Sequence, residues 1–183
     1  MGNVMVDRRR WMPFLLCLTF LSAFIRPDSA RADPPDYANF SIDVAAVANG
    51  SSADASNPNS ADTTQNLMCG DYLGVFRGFL SAHGGDYNLS SADAQFLWIQ
   101  NTPPDLRPMG YSAYNGGNTP ITTNGSHYVA LLGGKIYHNL DPAGVDQNVF
   151  LSQILTFTGD APTVTNLTPS QVDSVIVNGH PAC

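Results

Sequence analysis

Apolar positions along the chain change period twice, and each change predicts an element. Leu67, Tyr72, Leu73, Phe76, Phe79 and Leu80 recur mainly at spacings of three and four, which predicts a helix with one buried stripe. From Tyr128 to Leu132 the chain is apolar on both faces of an extended segment, which predicts a central strand. Gly133-Gly134 follows and turns the chain into a second strand, Lys135 to Asn139.

Other stretches are less regular. Phe40-Ser-Ile-Asp-Val-Ala-Ala-Val47 suits a short strand or helix, and the run from Asn49 to Ser60 has many turn formers and no large apolar residue. Residues 33–63 are therefore expected to form a flexible N-terminal segment before a domain spanning 64–183. Gly70, Gly74 and Gly78 line another face of the first helix, each at a cost of about 1 kcal/mol relative to alanine. Their spacing would admit a second element at close range. Ser90 or Ser91 is expected to cap a second helix that runs to Asn101 and stops at Pro103-Pro104. Residues 105–126 read as irregular. A third helix is expected near Asp146 to Leu155, and then a loop with one short strand up to Leu167. Thr168-Pro-Ser-Gln171 is a capping-box pattern that starts a last short helix, ending at Asn178-Gly179. No internal repeat is present.

Residues 1–32 read as a signal peptide. Arg8-Arg9-Arg10 precedes an apolar core from Trp11 to Ile25, and Ala30-Arg31-Ala32 is a small-x-small cleavage site. The expected location is secreted or periplasmic, with no membrane association after cleavage. Export changes the charge, because five of the eight basic residues lie in that segment. Arg77, Arg107 and Lys135 remain against thirteen aspartates, a net charge near −10, and the chain has no glutamate. Such a surface repels phosphate backbones and anionic lipids, which argues against a nucleic-acid or membrane-surface partner.

The chemistry rests on few residues. Cys69 opens the first helix, where the free backbone N–H groups stabilise a thiolate. Its own N–H could serve an oxyanion, with Gln65 or Asn66 as a side-chain donor. His127 opens the first strand of the hairpin, and Asn139 closes the second. With the turn centred on Gly133-Gly134, His127 lies across from Leu140; with Leu132 in the turn, it pairs with Asn139. Asn139 is beside His127 either way, and register decides whether the two side chains share a face. Asp141 is the alternative orienter. His83, His138 and His180 rank lower as bases, because His138 should point away from Asn139. No H-x-x-x-H, C-x-x-C, P-loop or Rossmann spacing is present, so neither a metal nor a cofactor is expected.

At Ile121-Thr-Thr-Asn-Gly-Ser-His-Tyr-Val-Ala-Leu-Leu-Gly-Gly-Lys-Ile-Tyr-His-Asn-Leu-Asp-Pro-Ala-Gly144 the chain resembles papain-fold toxin domains of bacterial polymorphic toxins. The resemblance covers roughly residues 65–155. It implies a papain-like α+β fold, in which a helix carrying the cysteine packs on a small antiparallel sheet. It also implies a Cys–His–Asn hydrolase of amide or ester bonds, with Cys69 as nucleophile, His127 as base and Asn139 as orienter. The partners would be a protein or peptide substrate and an immunity or inhibitor protein. His138 stands where the family often has Asp, and Asp141 where it commonly has His.

Cys69 has a second reading. Only Cys69 and Cys183 survive removal of the signal, and an exported chain meets an oxidising compartment. A Cys69–Cys183 disulfide would close a long loop and add roughly 4–5 kcal/mol by loop-entropy reasoning. The chain would then be a stapled, non-catalytic binding or structural domain. Asn39, Asn49, Asn88, Asn124 and Asn166 each begin an N-x-S/T sequon, relevant only in a glycosylating host.

Overall fold

The computed structural model describes residues 33–53, 67–102, 104, 106–117 and 120–178. These form a mixed α+β unit in which helices cover one face of an antiparallel sheet and a smaller antiparallel sheet covers the other.

The first helix, α1 (Tyr37–Ala53), lies in the segment expected to be flexible. Asp36 starts it, its carboxylate accepting from the Asn39 N–H at 3.1 Å. Phe40, Val44 and Ala48 recur every four residues, and all three are fully buried. Of the two readings open for Phe40 to Val47, strand or helix, the structure takes the helix, and it extends into the polar run from Asn49. The part of that run beyond residue 53 lies outside the described residues.

The second helix, α2 (Cys69–His83), carries the predicted stripe, with Tyr72, Leu73, Phe76 and Leu80 buried. Its rings join those of α1 and the sheet: Phe76 lies 5.7 Å from Phe40 and 5.2 Å from Tyr137. The last helix, α4 (Pro169–Asn178), runs back along α2 toward Cys69. A Cβ at Gly70 would sit 3.0 Å from the Val175 carbonyl oxygen, and one at Gly74 would sit 3.3 Å from Ile176. Two of the three glycines thus serve close approach, whereas a Cβ at Gly78 would meet nothing within 4 Å among the described residues. Arg77 pairs with Asp173 across the same contact. The capping box is present, with Thr168 N–H donating to Gln171 at 2.8 Å.

The expected second helix is instead a short 3-10 turn (Ser91–Asp93) and then a strand, β1 (Gln95–Gln100). Phe96 and Trp98 pack toward the helices, whereas Leu97 and Ile99 enter the opposite core. A four-residue apolar run, Phe96 to Ile99, with two buried faces fits either period, and here the two-sided core selects the strand. The irregular region 105–126 supplies two short strands, β2 (Met109–Tyr111) and β3 (Pro120–Thr122).

The hairpin forms as predicted from β4 (Ser126–Leu132) and β5 (Lys135–His138). Leu132 pairs with Lys135, so the turn is Gly133-Gly134 alone, with φ of 58° and 78°. Next come β6 (Asp141–Asp146), α3 (Gln147–Gln153), β7 (Ile154–Leu155) and β8 (Thr163–Asn166). The large sheet has the order β6-β5-β4-β1-β8, so β4 is central, and the small one has β3-β2-β7. One core lies between α1, α2, α4 and the large sheet; the other holds Met109, Tyr111, Ile121, Phe150 and Ile154 against its far face. Among the described residues no helix is long and apolar enough to cross a membrane.

Candidate functional site

The register of β4 decides where each candidate side chain goes. Tyr128, Ala130 and Leu132 belong to the core that also holds Cys69 and Tyr72, whereas Val129 belongs to the core with Leu97, Ile99 and Phe150. Side chains alternate along a strand, so His127 shares the face of Val129, away from α2. Its ring contacts agree: it meets His138, which in turn packs on Tyr111 and Phe150.

Asn139 goes the other way. Its Nδ2 donates to the Leu67 carbonyl at 3.0 Å, which places it beside the start of α2. Its Oδ1 is buried without a hydrogen-bond partner among the described residues. Tyr72 anchors the same end of α2, its hydroxyl donating to the Pro142 carbonyl at 3.1 Å. Cys69 is fully buried and disulfide-bonded, with its partner outside the described residues. Gln65 and Cys183 also lie outside them. The structure therefore brings Cys69 and Asn139 to one face of the sheet and His127 to the other. The three expected catalytic groups do not converge.

What His127 meets is a polar relay. His127 Nε2 lies 3.3 Å from His138 Nδ1, and both rings are fully buried. His138 Nε2 lies 3.3 Å from Asp141 Oδ2, in ion-pair range but off the direction of a good hydrogen bond. The same carboxylate oxygen accepts from the Tyr111 hydroxyl at 2.9 Å. One tautomer assignment fits this geometry: His127 Nε2–H donates to His138 Nδ1 and His138 Nε2–H faces Asp141, leaving His127 Nδ1 as a buried lone pair without a partner among the described residues. Asp141, expected as the alternative orienter of His127, lies instead against His138.

The electrostatics follow from burial. Burial holds His127 well below the ordinary imidazole range, and the neighbouring His138 adds to this. Burial also lowers His138, with Asp141 opposing. The His138 contact lowers Asp141, and burial beside Asp141 raises Tyr111. Both imidazoles are thus neutral at physiological pH. Among the described residues no group of three or more His, Cys, Asp or Glu side chains could hold a metal.

Sequence reasoning ranked His138 low because it was weighed only against Asn139. The signal for it was present. A two-residue Gly-Gly turn places His138 opposite Val129 by extension of the observed pairing, hence on the face of His127. Comparison with family models, curated proteins and solved structures returns no match.

Proposed function

We propose that this chain is an exported, non-catalytic binding domain, secreted or periplasmic, stapled by a Cys69–Cys183 disulfide. The observation that carries the reading is Cys69 itself, which is disulfide-bonded, fully buried and on the sheet face opposite His127. A thiolate mechanism needs a reduced sulfur with an imidazole against it. The course of α4 supports Cys183 as the partner. Val175 lies against Gly70, next to Cys69, and Cys183 follows Asn178 by five residues, a reach of up to roughly 17 Å. The third cysteine, Cys17, lies in the segment expected to be removed on export.

A papain-like Cys–His–Asn hydrolase is the second reading, favoured by Asn139 at the head of α2. It requires a reduced Cys69 and a β4 register that turns His127 to the α2 face. Alkylation of the exported protein before and after reduction separates the two. Under the stapled reading neither Cys69 nor Cys183 is modified until a reductant is added, and both are modified afterwards. Rapid alkylation of Cys69 without reductant would overturn it in favour of the hydrolase.

A further inference from the structure

The sheet face toward α2 carries a cavity of about 340 Å³, of a size that suits a small ligand. Its floor is built from paired strand positions: Trp98 lies opposite Tyr128, and Gln100 opposite Ser126. The two rings stack with centroids 6.1 Å apart. Leu106, 81% exposed, and Asn124 stand at the walls. None of the described lining residues is charged, in a chain that otherwise carries many aspartates.

Three polar groups are left uncommitted there. Asn124 Oδ1 accepts from the Thr122 hydroxyl at 2.6 Å and from the Ser126 N–H at 3.1 Å. That fixes the amide and leaves its Nδ2 as the unspent end. The Gln100 side chain makes no hydrogen bond among the described residues. Trp98 Nε1 is shielded from solvent and has no partner among the described residues, a donor whose desolvation these do not compensate.

An occupant must therefore be uncharged, offer several acceptors and hydroxyls, and lay an apolar face along aromatic and aliphatic side chains. We infer that this cavity binds a neutral saccharide, whose hydroxyls meet the two amides and whose C–H face lies along the Trp98–Tyr128 pair. The inference rests on reading the chain as a non-catalytic binding domain.

Trp11 and Trp98 are the two tryptophans, so a full chain carrying Trp11→Phe reports on this cavity by its single indole. It is made in a host that does not glycosylate Asn124. Cellotetraose, maltotetraose and an N-acetylglucosamine tetramer are titrated against it, with a neutral tetrapeptide amide as the competing chemistry. The expected result is a saturable change in Trp98 emission with at least one saccharide below about 10 mM, weakened about fivefold or more by Gln100→Ala at unchanged Tm. No saccharide response up to that concentration, a response unaffected by Gln100→Ala, or a response to the peptide alone would each overturn the proposal. Thiol titration of the same samples reads Cys69 independently, so loss of the stapled reading and loss of the saccharide site are told apart.

Discussion

His127 and His138 show how a polar residue becomes structural once its face is set. Two neutral imidazoles sit at zero exposure, and among the described residues the polar groups that the relay reaches are Asp141 and Tyr111. Below about pH 6.5 the unfolded chain protonates both histidines, whereas the folded chain, with both pKa values lowered by burial, does not. The unfolded state then binds more protons, so stability present above pH 6.5 is lost as pH falls. Urea denaturation across pH should show a plateau at neutral pH. Below about pH 6.5 it should fall, each histidine steepening the slope by up to about 1.4 kcal/mol per pH unit. Replacing both with leucine removes both polar partners together and should flatten this limb. An unchanged limb in the double variant would show that other groups cause it.

The helices and strands were legible in unequal measure. The stripe of α2, the hairpin and the capping box of α4 each repeat one local signal, so their periods could be read directly. Segment 95–100 could not, because Phe96 to Ile99 is apolar without a break and only the presence of a core on each side makes it a strand. For α1 the pattern left strand and helix both open for the opposite reason, since its buried positions are few and lie among small and polar residues. The glycines of α2 allow a test at this scale. Gly70→Ala should destabilise, because the new methyl would crowd a backbone carbonyl that cannot swing aside. Gly78→Ala meets nothing within 4 Å among the described residues and should stabilise by about 0.5–1 kcal/mol by restoring helix propensity. Denaturation midpoints of the two variants should move in opposite directions. A gain at Gly70 would mean that α4 does not lie this close.

For the whole molecule, the proposed staple joins the first helix of the 64–183 region to its last residue, enclosing nearly all of the large sheet. Cys69→Ser should leave the neutral-pH fold in place but lower its stability by roughly 4–5 kcal/mol, read from urea midpoints against the oxidised parent. Reduction of the parent should reproduce that loss, and a reduced chain as stable as the oxidised one would remove the structural case for the bond. The sequence by itself determined the net charge, which is a count of residues, and the helix of Cys69 and the Gly-Gly hairpin, which depend on residues close together in the chain. It also placed Asn139 at the end of the second hairpin strand. Only the tertiary structure decided that His127 and Asn139 face opposite cores. Side chains alternate with a period of two, so a single residue of register carries a histidine from one side of a sheet to the other, and the packing of both faces fixes that register.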